Sequence, residues 1–146
     1  NYRQNIMNIE IKDLERKYMS QVIDLVKRIS HYSPPKEKYD DIWFRFNLQN
    51  NVFPIIAIND GLVVGYGTLS TEFKIRGGKI GHIEDIVIDQ NYEGKGLGKK
   101  ILDSLYQIAK TENCLKIMLQ CTNKNTKFYE KCGFIINGLA MQRFIK

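Results

Sequence analysis

The stretch KIGHIEDIVIDQNYEGKGLGKKILDSL, residues 79–105, decides the reading of this chain. An apolar, β-branched run through Ile88 is followed by glycines at 94, 96 and 98. Ile101, Leu102, Leu105, Ile108 and Ala109 then fall on one side of a helix, and Lys100, Asp103, Ser104 and Gln107 mostly on the other. The order is strand, glycine-rich turn, amphipathic helix. Such a turn can present backbone N–H groups and the positive end of the helix dipole to a phosphate, or it can serve only as a flexible connection. The P-loop pattern is excluded, because it needs four residues between its glycines and a Ser or Thr after the lysine, and here Lys99 is followed by Lys100. The dinucleotide fingerprint is excluded too, because its third glycine would stand at position 99 and its turn near the start of the domain. What remains is a pyrophosphate loop of the form G-x-G-x-G flanked by Lys95, Lys99 and Lys100.

Working outward, FPIIAIN (residues 53–59) and LVVGYGTLS (62–70) read as a β-hairpin turning at Asn59-Asp60-Gly61, since Asp-Gly accepts positive φ. A further turn is expected at Gly77-Gly78. Val22, Leu25, Val26 and Ile29 predict a helix over residues 17–30 stopped by Pro34-Pro35, and a shorter helix is expected over 38–48. Downstream, CLKIMLQC (114–121) reads as a strand in which Leu115, Ile117, Leu119 and Cys121 alternate with Lys116, Met118 and Gln120. A short helix over 125–131 ending at Gly133 and a last strand within LAMQRFIK (139–146) complete the pattern.

A length of 146 residues, 43% apolar and 26% charged, predicts a single globular domain over residues 1–146. The formal charge of +6 suits a phosphorylated ligand and equally suits plain solubility. Basic residues are scattered and no nucleic-acid-binding motif appears, which argues against a nucleic-acid partner. No run is long and apolar enough for a membrane span and residues 1–10 lack a signal-peptide core, so a cytoplasmic location is the expectation. Three cysteines without CxxC spacing, with His31 and His82 as the only histidines, argue against a metal and a disulfide framework. Both histidines read as structural.

In order and spacing, GHIEDIVID, YEGKGLGKKILDSL, CLKIMLQC and NTKFYEKCGF resemble the GNAT superfamily of N-acetyltransferases. The resemblance is closer to the branch that acetylates the 2-amino group of glucosamine 6-phosphate with acetyl-coenzyme A, a step toward UDP-N-acetylglucosamine. It implies an α/β fold (α+β) with a mixed, mostly antiparallel sheet flanked by helices and splayed at the cofactor strand. It implies that Ile86, Val87 and Ile88 run along the pantetheine arm and that Gly94, Lys95, Gly96, Leu97, Gly98 and Lys99 cradle the pyrophosphate. Asn125, Phe128 and Lys131 match further residues that touch coenzyme A, although Asn125 is also a suitable helix N-cap. Tyr129 matches a tyrosine beside the thioester sulfur, where a phenol with pKa about 10 can serve a thiolate whose conjugate acid is about 8.5; its alternative is core packing beside Phe128.

For the sugar phosphate the resemblance points to Glu84 and Asp85, with Lys74, Lys116 and Arg143 as phosphate contacts. Adjacent residues on a regular strand leave on opposite faces, so Glu84 and Asp85 share a substrate only if the strand is distorted or a partner subunit helps. The resemblance also implies an intertwined homodimer with an exchanged C-terminal strand.

Two departures bear on chemistry. Glu93 replaces the Gln or Arg usual before the first glycine, and Gln120 stands where a carboxylate is common; an amide can orient an amine but cannot take its proton. The segment between Phe73 and Gly81 is also shorter than is usual. The rival readings are a GNAT enzyme for another amine (a protein N-terminus, lysine or polyamine) and a non-catalytic acetyl-coenzyme A-binding module.

Overall fold

A computed structural model of the chain describes residues 8–146. Five strands form one sheet in the order β1-β2-β3-β4-β5. They are β1 (Glu10–Asp13), β2 (Val52–Asn59), β3 (Leu62–Phe73), β4 (Lys79–Ile88) and β5 (Cys114–Met118). The first four run antiparallel to their neighbours, and β5 lies parallel to β4. A parallel neighbour needs a crossover, and α3 (Leu97–Thr111) supplies it. Helices α1 (Met19–Val26) and α2 (Tyr39–Asn47) lie between β1 and β2, and α4 (Thr126–Lys131) comes after β5.

The β2–β3 turn has φ of 49° at Asp60 and 79° at Gly61, the paired positive values that let a two-residue turn follow the twist of its strands. Apolar residues leave both faces of the central strands, because each face is covered. Ile101, Leu102 and Leu105 of α3 bury Ile55, Ala57, Leu69 and Ile83 on one side. Val22 and Leu25 of α1 bury Ile56, Val63, Tyr66 and Val87 on the other. Helix α3 can lie this close only because β3 carries glycines there. A Cβ built on Gly67 would stand 2.6 Å from Ile86 Cδ1 and 3.1 Å from Ile101 Cγ2.

Three expectations need correction. The first helix ends at Val26, well before the prolines, and Ile29 is half exposed beyond it. The strand expected over 114–121 stops at Met118, and its alternation is broken: Lys79 pairs with Cys114 but Ile80 with Lys116. Leu115 is thus the extra residue of a bulge and is exposed, while Cys114, Ile117 and Leu119 pack on the core. The last strand does not form within the chain: residues 139–146 join neither the outer edge of β5 nor the open edge of β4. Leu139, Met141, Phe144 and Ile145 consequently remain exposed. Among the described residues no helix is long and apolar enough to cross a membrane.

Candidate active site

Strand β4 is distorted at its carboxylates. Tyr66 pairs with Val87 and Thr68 with Glu84, so Asp85 and Ile86 together oppose the single residue Gly67. Asp85 takes up the bulge at φ 55°, a left-handed conformation that aspartate tolerates better than most residues. The Thr68 hydroxyl donates to the Glu84 carbonyl at 3.0 Å and holds the strand there. The extra residue reverses the facing of the strand beyond it: Ile83 packs under α3, whereas Val87 packs under α1. Both Glu84 and Asp85 are left exposed. Burial first, and then the Asp85 carboxylate, push the Tyr66 phenol well above its ordinary pKa.

The connection from β4 to α3 is built by local capping. The Asp89 carboxylate accepts from the Asn91 N–H at 2.8 Å, and the Tyr92 N–H donates to the Asp89 carbonyl at 2.8 Å. Asn59, at the end of β2, donates through Nδ2 to the Tyr92 hydroxyl at 2.7 Å. Gly94 and Gly96 then adopt φ of 71° and 82°, and Gly96 is the N-cap of α3, where no side chain caps the helix. The amides of the first helical turn have no intrahelical acceptor and point away from the helix end, which makes this a ready anion cradle. A Cβ on Gly98 would lie 3.1 Å from Phe128 Cζ, so the glycine admits that ring against the helix start.

The three lysines are not all held ready for a ligand. Lys95 donates to the Asn91 carbonyl at 3.1 Å and lies over the Tyr92 ring, and Lys99 donates to Asp103 at 2.7 Å. Lys100 is exposed. Glu93 turns away and pairs with Arg28 of the segment after α1 at 2.7 Å, while the other guanidinium nitrogen of Arg28 donates to the Ile88 carbonyl. Sequence reasoning missed Arg28. A residue 65 positions from its partner leaves no local signal.

Pairing of β4 with β5 ends at His82 and Met118, so the half of β4 from Ile83 onward has an open edge on that side. Phe128 and Tyr129 of α4 stand in T-shaped contact with centroids 5.1 Å apart, and Tyr129 meets Phe134 at 5.8 Å. Burial, followed by the nearby Cys121 and Cys132 thiols, raises the Tyr129 phenol above its usual range.

The structure thus sets Gly94, Gly96 and Gly98 at the start of α3 with Phe128 against Gly98, while Tyr129, Ile86 and Ile88 pack on the core cluster that α3 shares with the sheet. Asn125 is the N-cap of α4, with no side-chain bond to the helix, and Lys131 is exposed. Gln120 is exposed in the loop after β5 rather than on the strand. Lys74 is paired with Glu72 at 3.0 Å, and His82 approaches the same carboxylate at 3.6 Å. Lys116 is exposed beside Ile80, and Arg143 lies in the exposed tail.

The sequence model of the acetyltransferase (GNAT) family matches residues 11–134. A glucosamine 6-phosphate N-acetyltransferase of Dictyostelium discoideum is 34% identical over 142 residues, 94% of this chain and 88% of that protein. One of Candida albicans is 32% identical, covering 91% and 90%. The crystal structure of glucosamine-6-phosphate N-acetyltransferase from Arabidopsis thaliana superposes with a TM-score of 0.86 at 28% identity, over 94% of this chain and 99% of that one.

Proposed function

The chain belongs to the acetyltransferase (GNAT) family, and from that premise we propose that it transfers the acetyl group of acetyl-coenzyme A to the 2-amino group of glucosamine 6-phosphate. The observation that carries the acceptor is the 34% identity to the Dictyostelium enzyme along 94% of the chain. The geometry supports the donor: an uncapped helix start behind two left-handed glycines, beside a strand whose outer edge is open.

The amine lone pair attacks the thioester carbonyl, the tetrahedral intermediate expels the thiolate, and the amine gives up one proton; no covalent enzyme intermediate is needed. Backbone groups of Ile86, Val87 and Ile88 pair with the pantetheine arm, and residues 94–99 hold the pyrophosphate by their N–H groups and by Lys95 and Lys99. Asn125, Phe128 and Lys131 border the cofactor. Glu84 and Asp85 hold the sugar hydroxyls and amine, which the bulge at Asp85 allows from one side of the strand. Lys74, Lys116 and, from a second copy, Arg143 draw in the sugar phosphate. Gln120 orients the amine, and its proton leaves to water or to Glu84 or Asp85.

Tyr129 acts on the leaving sulfur. Its phenol is a weaker acid than an ordinary one, so full transfer to a thiolate of conjugate-acid pKa about 8.5 runs uphill. Its contribution is therefore a hydrogen bond to the charge that develops on sulfur, and solvent completes the thiol.

The same reading makes the whole chain one domain, places it in the cytoplasm on the route to UDP-N-acetylglucosamine, and pairs it with a second copy through residues 139–146. The uncovered Leu139, Met141, Phe144 and Ile145 support that pairing. Coenzyme A release measured with glucosamine 6-phosphate beside glucosamine tests the acceptor. Turnover confined to the phosphorylated sugar is expected, and equal rates on the two would remove the phosphate from the reading.

A further inference from the structure

The ion pair between Arg28 and Glu93 joins parts of the chain that share no strand or helix. Arg28 leaves the end of α1, and Glu93 is the residue immediately before Gly94. An exposed pair of this kind, with side chains 36% and 59% accessible, adds little to stability as a rule. Its position is what distinguishes it. Glu93 is the only acidic residue between Asn91 and Lys100, the stretch that contains the anion cradle, and it would set a negative charge beside an incoming diphosphate. Of the neighbouring lysines, Lys99 is bound to Asp103 and Lys95 to the Asn91 carbonyl and the Tyr92 ring, and the ion pair that Glu93 makes is to Arg28.

Arg28 does more than neutralise. One guanidinium nitrogen bonds the Glu93 carboxylate at 2.7 Å, and the other bonds the carbonyl of Ile88, the last residue of β4. A planar guanidinium presents donors in a fixed fork, so holding both acceptors fixes where the turn leaves the strand as well as which way Glu93 points. A lysine ammonium is a point charge and would not impose this orientation. On the opposite side the turn is held independently by Asn59 through the Tyr92 hydroxyl.

We infer that Arg28 is a positioning residue for the diphosphate site, drawing the Glu93 carboxylate out of the anion cradle and fixing the β4 end of the turn. The inference rests on the reading that residues 94–99 hold the pyrophosphate of acetyl-coenzyme A. Its consequence is specific: removal of Arg28 harms ligand binding because it frees Glu93, and neutralising Glu93 repairs most of the harm.

The test is the dissociation constant of acetyl-coenzyme A for the full chain and for Arg28→Ala, Glu93→Gln and the double variant, with Tm recorded for each. Arg28→Ala should weaken binding by about 3- to 10-fold, the range of one unpaired charge near a partly screened anion, and the double variant should return to within about 2-fold of the parent. Glu93→Gln alone should bind at least as tightly as the parent. The kcat/KM for S-acetylpantetheine, which lacks the diphosphate but still runs past Ile88, should fall less in Arg28→Ala than the kcat/KM for acetyl-coenzyme A. Equal weakening in the single and double variants, or equal losses with acetylpantetheine, would overturn the inference and leave Arg28 as scaffold. If Arg28→Ala fails to fold, weaker binding by Glu93→Gln would overturn it just as well. Absence of acetyl-coenzyme A binding by the parent chain would instead sink the pyrophosphate reading on which the inference stands.

Discussion

Replacing Tyr129 with phenylalanine separates the two roles open to that side chain. The ring meets Phe128 and Phe134 edge-to-face, and phenylalanine preserves both contacts. Among the described residues the hydroxyl has no hydrogen-bond partner, so its removal breaks no bond within the fold. Stability should hence change by less than about 0.5 kcal/mol, or roughly 2 °C in Tm for a chain of this size. Activity should respond differently. A hydrogen bond to a charged group contributes about 1.5–3 kcal/mol, which corresponds to a fall in kcat of about 10- to 150-fold if the bond forms only as charge develops on sulfur. The KM for acetyl-coenzyme A should stay within about 2-fold, since such a bond is made in the transition state rather than in the ground state. Because burial raises the phenol, kcat of the parent should also show no loss assignable to Tyr129 ionisation below about pH 10. The assay is continuous detection of free thiol at saturating substrates, beside a thermal melt. A kcat within about 2-fold of the parent at unchanged Tm would refute the argument, and a large fall in Tm would return Tyr129 to the core.

Gly67→Ala should lower stability by about 1–3 kcal/mol by overpacking, because its Cβ would lie 2.6 Å from Ile86 Cδ1; a thermal melt unchanged from the parent would mean that α3 is not so tightly seated. Gly96→Ala has no atom within 4 Å of the new Cβ and should cost only the left-handed conformation, about 1–2 kcal/mol, with a weaker pull on acetyl-coenzyme A if the turn shifts. The Tyr66 phenol stays neutral when folded at a pH where the unfolded phenol, near 10, ionises, so stability present below that pH should be lost above it; denaturant titrations of Tyr66→Phe should show a shallower alkaline decline, and identical slopes would contradict the assignment. Deleting residues 139–146 should convert a dimer into a monomer in light scattering, and an unchanged mass would place any association elsewhere.

What the sequence made legible was local. The Asp60-Gly61 turn and the glycine-to-helix transition come from conformational preferences of the residues concerned, and the structure has both. Adjacent carboxylates at Glu84 and Asp85 raised the question of a distorted strand, and the left-handed Asp85 is that distortion. The lysine partners were not legible, because Asp103 and the Asn91 carbonyl compete for the ammoniums only once the helix and the turn exist. The bulge at Leu115 was hidden for a related reason. Perfect alternation in CLKIMLQC describes an isolated strand, and only the register against β4 places an extra residue there. The unpaired tail marks the same boundary, since 139–146 reads as a strand but nothing in that reading says which edge it would join.

The two irregularities of β4 act together. Between Lys79 and His82 the strand is an internal member of the sheet, paired with β3 on one side and, across the Leu115 bulge, with β5 on the other. At Met118 the parallel neighbour ends, and three residues beyond His82 the bulge at Asp85 reverses which side chains face α3. Either event alone would leave the proposed arrangement incomplete. Loss of β5 without the bulge would open an edge but send the Glu84 and Asp85 side chains to opposite faces, whereas the bulge without the departure would leave that edge occupied by a neighbour. In combination they yield an open backbone edge, two carboxylates free of the core and, four residues past Asp85, the Asp89 cap that starts the turn into the glycines. One strand therefore anchors in the sheet with its first half and leaves an open edge with its second, the half that the proposed reading assigns to the ligands.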